Sequence, residues 1–322
     1  MMKYVNKKHL VIVGLLLSMI ITGCASTETE SVSDTEGAQV NIAQSKEKNI
    51  TLAKAEEASN NLDKAIYYYI QALELDKDDV EILCKIGQIQ INLDNPELAT
   101  RAFQQALTIK PDHIPALAQM GIYYLENKQA EQAKKTLAQA VKLDQKRLHI
   151  NVSFERFIAL DNQSPLLAYN ALAVLSDLES SHDYAREIFE LLIPISENLA
   201  LIYTNMGYSY YLTSNYSLAE SYYKKALDAN STFKRAKLNL GLIHVRTGQY
   251  NQALQLLKQV MTTAEAYNDI GYFLLLDGRY QEAEYFLQSA IDLSPSYSKK
   301  GNINLENVQL YLQKTKNSSA SP

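Results

Sequence analysis

Residues 200–233 read ALIYTNMGYSYYLTSNYSLAESYYKKALDANSTF, and this stretch decides the fold. Tyr203, Met206, Gly207 and Tyr210 fall at i, i+3, i+4 and i+7, which is one face of a helix. Ala219, Tyr223 and Ala226 repeat at spacings of four and three and make a matching face on a second helix. Between them, Leu212-Thr-Ser-Asn215 interrupts the period as a turn does. The stretch therefore predicts a helix hairpin whose small residues let two helices approach closely. It holds no catalytic group.

Aligning the chain on this hairpin exposes further copies. The block 166–199 carries Tyr169, Leu172, Ala173, Ala185 and Phe189 at the same places, and 80–113 carries Leu83, Ile86, Gly87, Ala99, Phe103, Ala106 and Pro111. The block 114–147 has Leu117, Met120, Gly121, Tyr124, Ala133, Leu137 and Ala140. A degraded first copy, 46–79, keeps Leu52, Ala53, Ala65, Tyr69 and Ala72. Downstream, 234–263 keeps Leu240, Gly241, Ala253, Leu257 and Val260, and 264–297 keeps Ile270, Gly271, Leu274, Ala283, Leu287, Ala290 and Pro295.

The small residues Ala53, Gly87 and Gly121, then Ala173, Gly207 and Gly241, are spaced by 34 within each run. Period and motif resemble the tetratricopeptide repeat. The implied fold is all-α: a solenoid of about seven helix hairpins plus a C-terminal capping helix. Length alone, at 322 residues, suggests about two globular domains, but a repeat array is exempt from that count.

Two places break the period. Gly121 to Ala173 spans one repeat plus 18 residues, the surplus being Leu148–Pro165, LHINVSFERFIALDNQSP, read as an ordered linker or a short extra helix. It divides the array into an N-terminal group of three repeats (46–147) and a C-terminal group of four (166–297), joined by the segment 148–165. Gly241 to Gly271 is only 30 residues, which predicts a shortened helix or turn around Val260–Glu265. A capping helix is expected over 298–313, from Leu305, Val308, Leu310 and Leu312, with a polar tail at 314–322.

The N-terminus reads differently. Lys3, Lys7 and Lys8 precede a twelve-residue apolar run, Leu10–Ile21, which ends in Thr22, Gly23 and Cys24. These are the marks of an export signal over 1–23, and twelve helical residues cover about 18 Å, short of a roughly 30 Å bilayer core. Ile21-Thr22-Gly23-Cys24 resembles the lipobox of bacterial lipoproteins, which implies lipidation at Cys24. Ala25 stands where an inner-membrane retention signal places Asp, so the resemblance implies an outer-membrane anchor with the body in the periplasm. Residues 24–45 read as the lipidated Cys and a flexible tether. Lipidation leaves Cys84 as the one free thiol, read as a partly buried small side chain.

No chemistry stands out. His9, His113, His149, His182 and His244 form no short-spaced ligand set, so no metal is expected, and His244 is read as packed and hydrogen-bonded. Asp76, Asp78 and Asp79 lack a calcium-loop pattern, the glycines never cluster as a phosphate cradle, and no serine has a base and orienter in context. The chain is read as a non-enzyme with no cofactor and no small-molecule substrate. A net charge of -5 gives no reason to expect nucleic acid.

Binding is the positive reading. The resemblance implies that positions two, five, nine and twelve of each first helix line a concave groove. These are Asn170 and Val174; Leu201, Thr204, Tyr208 and Tyr211; Arg235, Leu238, Leu242 and Val245; and Asn268, Tyr272 and Leu275, with Leu167, Asp177 and Glu265 at the same register. Such a strip suits a helix or extended peptide from a protein partner. Tyr203, Tyr210 and Tyr223 fall on the repeat skeleton and are assigned to the core.

The stretch LLAYNALAVLSDL, then IYTNMGYSYYLTSNYSLAESYYKKAL, KLNLGLIHVRTGQYNQALQLL and AYNDIGYFLLLDGRYQEAEYFLQSAIDLSP, followed by NLENVQLYL, resembles the TadD-type lipoprotein of the tight-adherence (Tad/Flp) pilus. That resemblance, covering about Leu166–Leu312, implies a role in pilus assembly or secretin placement, with the secretin or other assembly components as partners. The alternative is another repeat lipoprotein, such as a type IV pilotin or a scaffold for cell-wall or outer-membrane assembly.

Overall fold

The computed structural model describes residues 32–149, 157–294 and 298–319. The signal, Cys24 and the first part of the expected tether lie outside the described residues. Fifteen helices, and no strand, make up the described residues. They pair into seven antiparallel hairpins: α1 (Val32–Ala58) with α2 (Leu62–Leu75), α3 (Val80–Asn92) with α4 (Pro96–Ile109), α5 (Ile114–Glu126) with α6 (Ala130–Leu148), and α7 (Leu166–Leu178) with α8 (His182–Leu192). The array continues with α9 (Leu199–Leu212) and α10 (Tyr216–Ala229), α11 (Lys234–Arg246) and α12 (Tyr250–Leu257), then α13 (Thr263–Leu276) and α14 (Tyr280–Leu293). It is closed by α15 (Ser298–Ser319). The solenoid expected from the 34-residue period is the observed fold.

Each hairpin closes on a small residue facing a bulky one sixteen positions later. A Cβ added to Gly207 would stand 2.6 Å from the Tyr223 ring, one on Gly87 2.7 Å from Phe103, and one on Gly121 or Gly271 2.6 Å from Leu137 or Leu287. Those separations are below van der Waals contact, so the helices have closed to a distance that only glycine permits. Where the small residue is alanine, at Ala53 and Ala173, the partner rings Tyr69 and Phe189 are buried all the same. Within each hairpin one turn residue has positive φ: Asn60, Asp94, Lys128, Ser180, Ser214, Gly248 and Gly278. Around 200–233, Ser214 makes that turn, and Asn215 caps α10 through its side-chain oxygen, which accepts from Leu218 N at 3.3 Å.

The array's curvature follows from which helices touch. From α5 onward, successive odd-numbered helices are in direct contact (α5 with α7, then α9, α11, α13 and α15), whereas successive even-numbered helices make at most marginal contact. The odd row is therefore the inner side. Leu52, which occupies the place of the fully buried Met206, is 36% exposed, since no helix among the described residues precedes the first hairpin.

The insert after α6 is ordered where it is described. One hydrophobic cluster runs from Leu117 and Leu137 through Leu172 and Phe189 to Met206, and Phe157 and Leu160 of the insert pack against it. The two repeat groups thus share a core across the insert. Residues 157–165 are not helical. Gln145 holds them as a neighbouring strand would: its Oε1 accepts from Ile158 N at 2.8 Å and its Nε2 donates to Ile158 O at 3.2 Å. Asp144, fully buried, accepts from Arg147 at 2.7 Å and from the Tyr169 hydroxyl at 3.0 Å, while Arg147 also reaches both Asp161 oxygens at 2.7 and 2.8 Å. The second break is a shortened helix, as expected: α12 has 8 residues where α10 and α14 have 14.

Both ends run longer than the sequence suggests. α1 begins at Val32, inside the stretch read as tether, and residues 40–45 are solvent-exposed helix. α15 continues to Ser319, past the expected end at 313. Polar segments free of proline extend a docked helix without leaving an apolar period to read. Leu305 and Val308 are buried as the cap requires, while Leu310 faces solvent.

Candidate binding face

The inner row carries a cavity of about 260 Å³ between α7, α9 and α11. Val174, Asp177 and Leu178 come from α7, Thr204, Asn205 and Tyr208 from α9, and Arg235 and Asn239 from α11, with Phe189 of α8 beneath. Of the residues read from the sequence, Val174, Asp177, Thr204, Tyr208 and Arg235 meet here. The walls are mostly apolar.

The polar groups divide into those already satisfied and those turned outward. Asp177, 3% exposed, accepts from Ser209 Oγ at 2.8 Å and pairs with His182 Nδ1 at 2.9 Å, so its carboxylate is committed to the scaffold. Thr204 is buried, and its hydroxyl donates to the Ala200 carbonyl at 2.6 Å. Asn205 Nδ2 donates to Asn170 Oδ1 at 2.8 Å and links α9 to α7, while Asn239 hydrogen-bonds the buried Tyr223 hydroxyl. Tyr208 is exposed and stacks on Tyr211 at 6.0 Å. Arg235 is exposed, with no ion-pair partner among the described residues. The cavity therefore offers an apolar floor, one outward phenol and one available guanidinium, a combination suited to an apolar side chain flanked by a carboxylate or carbonyl.

A second hollow of about 330 Å³ holds Asn268 and Tyr272 with Ile303 and Asn304 of α15. Asn304 Nδ2 donates to Asn268 Oδ1 at 3.2 Å, so the capping helix docks on the inner row as a further repeat would. The remaining candidates lie elsewhere. Val245 is fully buried core, and Leu238 and Leu275 are half-buried and pack against the last cluster. Leu201 and Leu242 are half-buried. Tyr211 accepts from Arg246 Nε at 2.6 Å and ties α9 to α11, and Arg246 in turn pairs with Asp277 at 2.9 Å.

Tyr223 is core, but Tyr203 and Tyr210 are half-buried and both lie against Tyr222, at 6.2 and 5.4 Å. Asn205 and Asn239 escape a reading by helix position. They stand 34 residues apart, one place before each helix's Met206 or Leu240, and the recurrence of Asn there is the signal that would have found them.

Two further groups bear on catalysis. Cys84 does have a partner: its Sγ lies 3.4 Å from His113 Nδ1, and His113 Nε2 meets Glu81 at 2.9 Å. Burial, with the Glu81 charge adding to it, pushes the thiol up to about 12, so Cys84 stays protonated and joins α3 to the residue that opens α5. Ser209 donates to Asp177 and meets no imidazole, the reverse of an activated serine. Among the described residues no group of three His, Cys, Asp or Glu is placed to hold a metal. His244 differs from expectation: its Nδ1 is buried without a hydrogen-bond partner.

Fold and face together define an all-α helix-hairpin solenoid with a cavity on its inner row. Family models for the tetratricopeptide repeat match residues 114–147, 212–266 and 263–294, and a model for the CABIN1 N-terminal domain matches 5–122. The chain is 23% identical over 218 residues to the peroxisomal targeting signal receptor of Candida albicans, which covers 60% of this chain and 37% of that protein. It spans about a third of the length of the curated relatives it matches. Among solved structures it resembles a tetratricopeptide repeat protein from Parabacteroides merdae (TM-score 0.52, 15% identity, 83% of this chain and 99% of that one). It also resembles PilW, described as a widely conserved type IV pilus biogenesis factor (TM-score 0.52, 16% identity, 67% of this chain and 91% of that one). At these identities the likeness is one of fold.

Proposed function

We propose that this chain is a lipid-anchored adaptor of pilus biogenesis that holds a protein partner against its inner face and performs no chemistry on it. The cavity between α7, α9 and α11 carries the reading, because it leaves Tyr208 and Arg235 outward over an apolar floor while the scaffold consumes its other polar groups. Support for the pilus setting comes from the likeness in fold to PilW and from the Ile21–Cys24 lipobox pattern, which fits an anchored periplasmic body. No helix of the described residues is long and apolar enough to cross a membrane, so attachment in this reading falls to Cys24. A type IV pilus factor of the pilotin kind is favoured over the narrower tight-adherence assignment, and the pilus secretin is a partner in either.

The test is deletion of the gene, followed by complementation with wild type and with Tyr208→Ala/Arg235→Ala, scoring surface pili and secretin multimers. Deletion is expected to reduce both, and the double variant to accumulate normally without restoring them. Normal pili and multimers after deletion would refute the pilus setting. Full restoration by the double variant would place the contact off this face.

A further inference from the structure

The position three residues after each small residue is filled in turn by Glu56, which accepts from Asn61 Nδ2 at 2.7 Å, and by Gln90, Tyr124, Ser176, Tyr210, His244 and Leu274. Nearly every polar occupant is satisfied or packed. Gln90 Oε1 accepts from Asn95 Nδ2 at 3.0 Å, Ser176 Oγ donates to the Leu172 carbonyl at 2.8 Å, Tyr210 stacks on Tyr222 beneath Arg186, and Tyr124 packs on the central core. His244 is the exception. It is 8% exposed, and its Nδ1 is buried and unpaired, a state native interiors seldom keep without a reason.

His244 lines a cavity of about 410 Å³ on the outer side of the array, between α10 and α12. Gln249, Gln252, Gln255 and Gln259 also line it, all exposed and with no side-chain hydrogen bond among the described residues. Across from them, Lys224 and Glu220 pair at 2.7 Å and cancel each other's charge. The hollow at the same register between α4 and α6 is walled by Leu107, Leu117, Met120 and Tyr124 and has a single glutamine, Gln104. The glutamine row is thus a property of this place and not of the repeat.

We propose that the outer groove is a second binding site, which takes an extended, uncharged peptide segment along the glutamine row and over His244. A glutamine amide both donates and accepts, as a peptide backbone does. Gln252 and Gln255 follow one another at about 4.5 Å along α12, with Gln259 in the turn beyond its end, and an extended chain presents successive groups to one side at about 6.7 Å. The internal ion pair removes any preference for an acidic or basic segment. Sugars present C–H faces that seek an aromatic platform, and no ring other than the imidazole lines the groove. The site shares no residue with the inner cavity and stands or falls separately from it.

The probe is a fluorescein-labelled, end-blocked peptide of Ser, Asn, Thr and Gly, titrated into the intact chain by anisotropy and by side-chain amide NMR. Saturable shifts of the Gln252 and Gln255 amides and the His244 ring are expected. Gln252→Ala/Gln255→Ala should weaken binding about tenfold, equivalent to about 1.4 kcal/mol, with an unchanged melting curve. Tyr208→Ala/Arg235→Ala should leave that affinity intact. No saturable shift at millimolar peptide, a response only to an N-acetylglucosamine oligomer, or equal loss in the inner-face variant would each overturn the proposal.

Discussion

The array leaves its period twice, and the two departures are handled in opposite ways. The surplus at 148–165 arrives with its own donors and acceptors: Gln145 takes up both backbone groups of Ile158, Arg147 joins Asp144 to Asp161, and the hydrophobic core passes underneath. The deficit before Gly271 shortens α12, and close to it His244 is buried without a partner beside a row of unpaired glutamines. The hollow itself is not the product of the deficit, since its counterpart between α4 and α6, where the period is intact, is at least as large. What differs is the lining: polar side chains at the insert are taken up by the added chain, whereas those beside the shortened helix keep no partner among the described residues.

The comparison breaks most visibly at Arg147. Arg147→Ala leaves the fully buried Asp144 carboxylate with only the Tyr169 hydroxyl among the contacts described above, and is expected to cost about 3 kcal/mol in urea unfolding. A loss below about 1 kcal/mol would mean that the insert is held by its apolar contacts alone. A smaller contrast separates the glycines on either side of the deficit. A Cβ on Gly271 meets Leu287 Cγ at 2.6 Å and its backbone N at 3.1 Å, whereas a Cβ on Gly241 meets side-chain atoms of Leu257, the nearest at 2.8 Å, on the short helix. Gly271→Ala should cost about 2 kcal/mol and Gly241→Ala about 1 kcal/mol; equal losses would show that the shortened hairpin yields no more than its neighbour.

Acid provides the smallest effect. Hydrogen bonds from Arg147, above all, hold the Asp161 carboxyl well below its ordinary 3.8. A depressed native pKa contributes stability that is complete above the unfolded value and lost only as pH falls through the native one. The melting difference between wild type and Asp161→Asn should therefore stay constant from about pH 7 to pH 5 and shrink below about pH 4. A change near pH 6 would point to another group.

Much of the fold is legible because it is local and periodic. The small residues, their bulky partners sixteen positions on, and the shortening before Glu265 can all be read along one line of sequence. The binding face is only partly legible, because helix position does not fix rotation or neighbours. Tyr208 and Arg235 are found, but Tyr211 turns to Arg246, and Asn205 is missed because its meeting with Asn170 joins residues 35 positions apart. Cys84 with His113, and His244 without a partner, depend likewise on how adjacent hairpins nest. The helical ends at Val32 and Ser319 leave no apolar signal to read.

Of the seven hairpin turns with a positive-φ residue, five use a side chain other than glycine there: Asn60, Asp94, Lys128, Ser180 and Ser214. Each sets aside roughly 1 kcal/mol of backbone preference, at a position on neither the inner cavity nor the outer groove. Because each repeat leans mainly on its neighbours, these turns are nearly independent adjustments of robustness. Mutational drift can raise or lower the durability of the array at such corners while recognition evolves on other residues, so the two histories need not constrain one another.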